Sequence, residues 1–457
     1  MRNEVKSRSR RAIPGVNKVL DALGSCDLPR PIIVDLVRRE LSKIRAKGEI
    51  PEFQSIVHLV QRALEGLRAG RLLRVVNGTG IVIHTNFGRA PLAPEVVGAL
   101  SEIGSGYSNL EYDVATGERG RRGAYIENAL ALICGAESAT VVNNCAAALV
   151  LIVRHFTRNK PELVISRGEM FQIGGGFRIG EIIEASGAKL REVGATNKTT
   201  LGDYKRAIGT NTALILKVHR SNFFMSGFVD SPSSADIAAL ARKRRIPFVE
   251  DLGSGAIVAT EQFGIAEHEP TSAEALKDGA DLVCFSGDKL FGGPQAGVVA
   301  GKKRFISALK REPLFRALRC DKLTFAALQA TIDLHLYQSA AGIPAIALLQ
   351  VSEDELRIRA AAIVKRLENV AAQISIGQGV VKVGGGTLPR STICSVTVDI
   401  VPRNCSLTDL AVRLRNLRPP VIGHIANDRF KLDLRTIFPQ QDDLVVDAMR
   451  TACSQRF

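Results

Sequence analysis

Residues 281–301 read DLVCFSGDKLFGGPQAGVVAG, and this stretch decides the fold. Its apolar run at 282–285 has the length of a buried strand. A polar turn follows the run and presents Ser286, Asp288 and Lys289 before a glycine-rich return. The sequence therefore predicts a lysine at the end of a buried strand.

A second strand end offers a carboxylate. The apolar run at 246–249 leads into Glu250, Asp251 and the tight turn LGSG. A pyridoxal 5'-phosphate (PLP) enzyme needs a lysine that forms a Schiff base and an acid that keeps the pyridinium nitrogen protonated. A surface lysine after a strand is the alternative. The paired Asp251 and the glycines around Lys289 favour the PLP site.

Short apolar runs recur from about residue 75 and alternate with stretches of helical length. We predict strands at 139–142, 163–165, 213–216, 246–249, 282–285 and 297–300. Strands that alternate with helices indicate an α/β fold, in which a mostly parallel sheet carries helices on both faces. Ligands of such folds bind at the carboxyl ends of the strands.

The segment after the first of these strands is a candidate for binding the phosphate of the cofactor. Asn144, Cys145 and Ala146 lead from a polar strand end into an apolar helical segment. Such a helix start leaves backbone N–H groups free for a phosphate, although small residues there can also serve close packing alone. Ser286 would add a hydroxyl to the same phosphate.

Two clusters are rich in arginine. Arg89 lies in a glycine-bearing loop after a short predicted strand, and Arg316 and Arg319 are spaced to share one face of a helix. Guanidinium groups at this spacing suit a phosphate-like oxyanion, whereas ordinary helix-surface arginines are the alternative. A third basic loop at 117–123 is predicted at a subunit edge or an RNA surface.

The first 74 residues are strongly basic, with 16 Lys and Arg against 8 Asp and Glu in a chain of net charge +15. Apolar residues recur at helical spacing over 33–44 and 56–67, and Arg38, Arg39 and Lys43 fall on the outward side of the first helix. A basic helical domain indicates a nucleic-acid partner, and a merely solvated surface is the alternative that stays open.

Length and composition predict a folded protein of two or three domains, since 46% of the 457 residues are hydrophobic and 23% are charged. Eight cysteines without a CxxC pair and seven dispersed histidines predict neither a disulfide framework nor a metal site. No apolar run reaches membrane-spanning length. The N-terminus lacks the apolar stretch of a secretory signal and is basic at Arg2, Lys6, Arg8, Arg10 and Arg11. We therefore expect a cytoplasmic protein without a membrane partner.

Motifs along nearly the whole chain resemble the bacterial selenocysteine synthase family, the L-seryl-tRNA(Sec) selenium transferases. They include NGTGIVIHTNFGRAPL, EYDVATGERG, VVNNCAAALVL, KVHRSNFFMSGF, EDLGSG, FSGDKLFGGPQAGVVAG, RALRCDKLT and LDLRTIFP. The resemblance implies a fold-type-I PLP-dependent transferase with a mostly parallel seven-stranded sheet. It implies a tRNA-binding domain at 1–70, a large PLP domain at 71–335, a small α+β domain at 336–457 and a homodecamer.

The resemblance also implies roles for individual residues. Lys289 would carry the cofactor, Asp251 would support its ring nitrogen, and selenophosphate would be held by Arg89, Arg316 and Arg319. Seryl-tRNA(Sec) would lose water by β-elimination to an aminoacrylyl intermediate, to which selenium adds. Asp288 would orient either Lys289 or an arginine. Arg220 and His424 depart from the family pattern, as do Gly180 and Cys145.

Two other interpretations stay open at the level of the sequence. A small-molecule PLP lyase, such as an ammonia-lyase of amino sugars, would keep Lys289 and Asp251 but would not need a basic N-terminal domain. A non-catalytic RNA-binding protein would not need Lys289, Asp251 and the three arginines.

Overall fold

The computed structural model describes residues 13–337 and 340–454. The basic positions predicted at the extreme N-terminus (Arg2, Lys6, Arg8, Arg10 and Arg11) lie outside the described residues. The chain divides into two compact units, Met1–Arg74 and Val75–Phe457. The finer division of the second unit near residue 335 stays a prediction. None of the helices in the described ranges combines the length and the apolar character that a membrane crossing requires.

The first unit contains three helices, α1 (Val16–Leu23), α2 (Arg30–Lys47) and α3 (Phe53–Ala69). The predicted helical periodicity of α2 is confirmed, because its buried residues are Ile33, Leu36, Val37, Leu41 and Ile44. In α3 the predicted apolar residues are buried except Leu67, which is exposed at the end of the helix.

The second unit contains helices on both sides of its sheets. The helices are α4 (Pro94–Gly104), α5 (Ala124–Cys134), α6 (Cys145–Phe156), α7 (Ile179–Ala185), α8 (Leu201–Ala207), α9 (Ser234–Arg244), α10 (Ser272–Lys277), α11 (Lys303–Arg311), α12 (Pro313–Leu318), α13 (Lys322–Leu336), α14 (Pro344–Gln350), α15 (Glu353–Arg366), α16 (Leu407–Arg415) and α17 (Asp442–Ser454).

The strands of the second unit form three sheets. They are β1 (Val76–Asn77), β2 (Ile81–Ile83), β3 (Ser138–Val142), β4 (Glu162–Ser166), β5 (Lys189–Val193), β6 (Thr212–Val218), β7 (Phe248–Gly253), β8 (Leu282–Ser286), β9 (Gly297–Gly301), β10 (Ala372–Gly384), β11 (Thr387–Pro402), β12 (Val421–Ile422), β13 (His424–Ala426) and β14 (Arg429–Asp433).

The central sheet has seven strands in the order β3-β9-β8-β7-β6-β4-β5. Strand β9 runs antiparallel to both of its neighbours, and the other pairs are parallel. The predicted strands are therefore confirmed, but β5 was not predicted. This edge strand carries exposed Lys189, Arg191 and Glu192, so it lacks the apolar run that marks a buried strand.

Strand β7 begins later than predicted and continues through Glu250 and Asp251. The prediction that these carboxylates follow the strand is wrong, because both are buried within it. Successive side chains of a strand point to opposite faces. Glu250 accordingly meets Lys217 at 3.4 Å and the Ser234 hydroxyl at 2.9 Å, which leaves Asp251 for the other face.

A second sheet has the order β13-β14-β11-β10-β2, and β1 pairs with β12. Strands β10 and β11 form a long antiparallel hairpin within this sheet. Helix α15 covers this sheet and buries Leu356, Ala360 and Ile363. The apolar residues of this charged helix are confined to one buried stripe.

Candidate active site

A cavity of about 860 Å³ lies at the carboxyl ends of β6, β7 and β8. It brings together most of the predicted site, namely Arg89, Asn144, Cys145, Ala146, Asp251, Ser286, Asp288 and Lys289. These residues are far apart in the sequence and meet because parallel strands end at one edge of the sheet. The structure thus brings these residues together at this edge of the sheet.

Lys289 stands in the turn after β8 and reaches into the cavity. Two glycines lie beside its amine, since a Cβ added at Gly253 or at Gly386 would be in ordinary contact with Lys289 Nζ, at 3.7 Å. Burial lowers the pKa of Lys289, and Arg89 acts in the same direction, whereas Asp251 and Asp288 oppose the shift. The amine is thus closer to its uncharged, nucleophilic form than a surface lysine.

Asp251 is buried in β7 and faces the same cavity. Its Oδ1 accepts the Gly253 N–H at 3.1 Å and a bond from the Cys145 thiol at 3.5 Å. Burial raises the pKa of Asp251, and the positive charge of Lys289 opposes that rise. A carboxylate held in this way is stabilised when a cation in the cavity contacts it.

The start of α6 is arranged for an anion. Asn144 is the N-cap, and its Oδ1 accepts the Ala147 N–H at 2.8 Å. The N–H groups of Cys145 and Ala146 lie in the first turn and have no carbonyl partner within the helix. Gly297 permits the close approach, because a Cβ there would come within 2.1 Å of the Asn144 carbonyl oxygen. Ser286, at the end of β8, lines the same cavity.

Asp288 contacts an arginine. Arg89 Nη1 donates to both carboxylate oxygens of Asp288, at 2.8 and 2.9 Å. The loop of Arg89 is tied to the lysine turn, because the Ala90 N–H donates to the Asp288 carbonyl at 3.1 Å. Arg89 has a positive φ of 68°, a conformation that costs energy in a non-glycine residue and often marks functional loops.

Comparison with known proteins places the chain in a family. The family model described as L-seryl-tRNA selenium transferase matches residues 75–438. A curated L-seryl-tRNA(Sec) selenium transferase of Carboxydothermus hydrogenoformans is 43% identical over 446 residues, which cover 95% of each chain. The protein of that name from Aquifex aeolicus is 42% identical and covers 94% of this chain and 95% of its own. This chain belongs to the L-seryl-tRNA selenium transferase family.

A solved structure shares the fold. D-Glucosaminate-6-phosphate ammonia-lyase aligns with a TM-score of 0.58 at 20% identity and covers 84% of this chain and 96% of its own. The predicted fold-type-I α/β architecture is confirmed. The predicted membership of the selenium transferase family is also confirmed. The similarity to the ammonia-lyase concerns the fold alone.

Arg316 and Arg319 lie away from the first cavity. They line a second cavity of about 310 Å³, together with Arg119, Arg121, Arg122 and Lys310 from the basic loop and α11. The prediction that they share a helix face is wrong, because α12 ends at Leu318 and Arg319 has extended backbone angles. Within the described part of a single chain, Arg89 and these two arginines do not form one site.

Glu111 is the acidic centre of the second cavity. Arg122 donates to it at 2.9 Å, Arg119 at 2.9 Å and Arg319 at 3.4 Å. The hydrogen bond from Arg122 holds the pKa of Glu111 below its usual range. Arg316 adds a further positive charge to the wall of this cavity. Basic side chains thus outnumber the acidic ones around Glu111.

Two residues predicted to depart from the family pattern, Arg220 and His424, are not among the residues that line the cavity of Lys289. Arg220 is half-buried, and its charge opposes the raised pKa of Glu169. His424 lies on β13, where its Nδ1 is buried without a hydrogen-bond partner among the described residues. Gly180 packs against the flexible end of Met170, whose methyl lies 2.5 Å from the position of an added Cβ.

The cavity also contains residues for which the sequence predicted no role. His219, Ser221 and Asn222 line it beside Asp251 and Lys289. The sequence signal for these residues is their position directly after β6, because β6 pairs with β7, the strand that carries Asp251.

Cys145 and Cys284 lie close to Asp251. In the described ranges these three residues form a group whose possible metal-ligand atoms all lie within 4.8 Å of one another.

The predicted tRNA-binding residues belong to the first unit. Arg38, Arg39 and Lys43 are all exposed on α2. Arg39 pairs with Asp35 at 2.8 Å and Lys43 with Glu40 at 2.7 Å. Such exposed pairs hold their partners weakly, so all three cations are accessible to an external anion.

Proposed function

We propose that this protein converts L-seryl-tRNA(Sec) to L-selenocysteinyl-tRNA(Sec), with PLP as cofactor and selenophosphate as selenium donor. The observation that carries the proposal is the 43% identity to a selenium transferase over 95% of both chains. The cavity supports it, since Lys289 and Asp251 supply the amine and the acid that this cofactor requires.

The residues of the cavity fit PLP. The buried Asp251 accepts hydrogen bonds from neutral donors such as the Cys145 thiol and the Gly253 N–H, and the pyridinium nitrogen would supply a cation. The start of α6, with Asn144 as its cap, would take the phosphate on the N–H groups of Cys145 and Ala146. Ser286 would add a hydroxyl, and Lys289 would form the covalent link.

PLP supplies an electron sink that stabilises negative charge at the α-carbon of the bound amino acid. Asp251 would keep the ring nitrogen protonated, and Lys289 would take the α-proton of the seryl group. The lowered pKa of Lys289 suits that task, because a base must be uncharged before it accepts a proton. Asp288 would act by fixing Arg89 at the cavity wall.

We propose that Arg89, Arg316 and Arg319 hold the selenophosphate. Within one chain they line two cavities, so a second copy would have to bring Arg316 and Arg319 to the Lys289 of its neighbour. A homo-oligomer, expected to be a decamer, satisfies this requirement. Arginine suits the task because its guanidinium binds phosphate oxygens in a fixed geometry.

The first unit is proposed as the tRNA-binding domain, with Arg38, Arg39 and Lys43 on its contact surface. Its cations are exposed on α2, and a polyanion is the partner that such a surface attracts. The large PLP domain would run over 71–335 and the small α+β domain over 336–457. A tRNA substrate is consistent with a reaction in the cytoplasm.

A direct assay tests the proposal. Purified protein with PLP, seryl-tRNA(Sec) and selenophosphate should yield selenocysteine on the tRNA, detected by mass spectrometry after deacylation. Seryl-tRNA(Ser) serves as the matched control and should be converted poorly. Release of ammonia from D-glucosaminate 6-phosphate, without turnover of seryl-tRNA(Sec), would instead make the chain a lyase.

A further inference from the structure

His219 is a titratable residue of the cavity to which the mechanism gives no task. It follows β6, and its backbone N–H donates to the Asp251 carbonyl at 2.8 Å. A tight turn holds it from the other side, because the Ser221 N–H donates to the His219 carbonyl at 2.8 Å. These contacts fix the backbone of His219 beside Asp251 on both sides.

The imidazole ring of His219 lies next to the buried carboxylate of Glu269. Glu269 is 1% exposed, and its Oε1 lies 3.3 Å from His219 Nε2. This Oε1 has no hydrogen-bond partner in the described part of the chain. The Glu269 backbone is anchored, because its N–H donates to the Thr260 hydroxyl at 3.2 Å. A buried oxygen without a hydrogen bond is costly, and the His219 imidazole lies within reach of this one.

The ring connects Glu269 to the cavity. The His219 side chain is 26% exposed and lines the cavity wall. Because Nε2 faces Glu269, Nδ1 is the nitrogen that a cavity ligand can reach. A protonated imidazole donates from both nitrogens. The pair thus has the arrangement of a proton-transfer group oriented by a carboxylate.

Four other polar residues that line the cavity have other tasks or are poor acids. Asp288 is paired with Arg89, and the buried Asp251 would hold the ring nitrogen of the cofactor. Ser221 offers a hydroxyl, which is a much poorer proton donor than an imidazolium. Lys289 would have the α-proton to remove. The reaction nevertheless needs a second proton transfer, because hydroxide is a poor leaving group.

We propose that His219 is the general acid that protonates the β-hydroxyl of the seryl group, and that Glu269 is its positioning residue. This inference rests on the proposed function. The Cα–H electron pair becomes the new C=C bond, and the Cβ–O bond breaks with its electrons on oxygen. The His219 proton joins that oxygen, so water leaves and a neutral imidazole remains. Solvent then restores the proton through the exposed part of the ring.

The test uses a leaving group that needs no proton. The full-length enzyme is assayed with seryl-tRNA(Sec) and with chemically acylated β-chloroalanyl-tRNA(Sec), since chloride departs without an acid. His219→Asn should lower product formation from the seryl substrate by about 100-fold or more. The chloro substrate should retain its rate within about threefold, because general-acid catalysis is no longer needed. Glu269→Gln should give the same pattern with a smaller loss.

A second readout separates proton transfer from structure. In deuterated water the His219→Asn enzyme should still exchange the seryl α-proton, while water loss is slow. Cofactor absorbance and tRNA retention should match those of the unmodified enzyme. His219→Gln provides a second variant if the first does not fold.

Two results would overturn the role of His219. One is an equal loss on both substrates, which would make it a structural or cofactor-holding residue. The other is an undiminished seryl rate. If the unmodified enzyme converts neither substrate, the proposed function fails instead, so the two failures are distinguishable.

Discussion

Lys289 and Asp251 illustrate how burial shapes a site before any ligand binds. Burial lowers the pKa of the amine and raises the pKa of the carboxyl, so each is shifted toward its neutral form. A cofactor that reacts with the amine and gives the carboxylate a cation relieves both costs. The cavity therefore favours a ligand that reacts with an amine and carries a positive charge beside Asp251.

The identity of the covalent lysine can be tested directly. Borohydride reduction of the PLP-loaded protein, followed by peptide mapping, should find the pyridoxyl group on Lys289. Lys289→Ala should abolish the label and lower product formation by about 100-fold or more, since base catalysis is lost with the amine. A label on Lys217 or Lys322 would contradict the assignment.

Residues with a chemical reason to be at a strand end were predictable from the sequence. Asp251, Asn144 and Lys289 follow or end apolar runs, and parallel strands bring those ends together. Glu269 was not predictable, because it lies in a loop 50 residues after His219 in sequence and only the fold brings the two together. The partner of Asp288 was also left open by the sequence, and the structure shows it to be Arg89.

At the scale of elements, the errors share a cause. The central strands have long apolar runs and were found, whereas charged side chains hid β5 and the second half of β7. Buried carboxylates inside a strand, such as Glu250 and Asp251 in β7, are missed by a criterion based on hydrophobicity alone. The end of α12 before Arg319 was likewise invisible to the spacing argument.

Glu169 links the end of β4 to the end of β6 and makes the stability of the fold depend on pH. It follows β4, and its Oε2 accepts the N–H of Val218 at the end of β6, at 3.0 Å. Burial raises the pKa of Glu169 to about 7 from an ordinary value of 4.5. In that window the folded protein holds a proton that the unfolded chain releases, so stability is lost as pH rises through it.

Glu169→Gln should remove this dependence. The free energy of unfolding of the unmodified protein should fall relative to the variant between pH values of about 5 and 7.5, by up to about 3 kcal/mol. Urea unfolding at both pH values measures the difference. Glu184→Gln, at an exposed position on α7, is the control and should leave it unchanged. The assignment would be contradicted if the unmodified protein instead lost stability relative to Glu169→Gln as the pH falls from about 7.5 to about 5.

At the scale of the whole molecule, Arg89 lines one cavity of the chain, and Arg316 and Arg319 line another. The proposed selenophosphate site therefore needs two copies of the chain. If Arg316 of one copy serves Lys289 of another, co-expressed Lys289→Ala and Arg316→Ala chains should complement each other. Random pairing leaves one intact site in each mixed dimer, so activity should return to about a quarter of the normal value. Each variant alone should be nearly inactive.

A matched pair provides the control for this experiment. Lys289 and Asp251 line one cavity of the same chain. Mixed Lys289→Ala and Asp251→Asn chains should therefore restore nothing. Absence of recovery with the Arg316→Ala partner as well would place the arginine in the site of its own chain or outside the reaction.

The division into two units predicts that the second is autonomous. The sheets, their cores and the cavity of Lys289 all belong to residues after Arg74. A chain that starts at residue 75 should fold, bind PLP and show the same pyridoxyl label. Its affinity for seryl-tRNA(Sec) should fall by about 100-fold or more, because the cations proposed to bind phosphate belong to the first unit. Unchanged affinity would contradict the tRNA-binding role.

Charge reversal on α2 tests the tRNA surface within the intact chain. Arg38→Glu, Arg39→Glu and Lys43→Glu together should weaken binding of seryl-tRNA(Sec) and reduce its salt dependence, by a log–log slope of about 0.9 for each phosphate that is no longer neutralised. The fold should survive, because the ion pairs of Arg39 and Lys43 are exposed and contribute little. Reversal of three exposed cations on α9, Arg242, Lys243 and Arg244, changes the net charge equally. If binding depends on the α2 surface, only the first variant changes the slope; equal effects would mean that total charge alone attracts the tRNA.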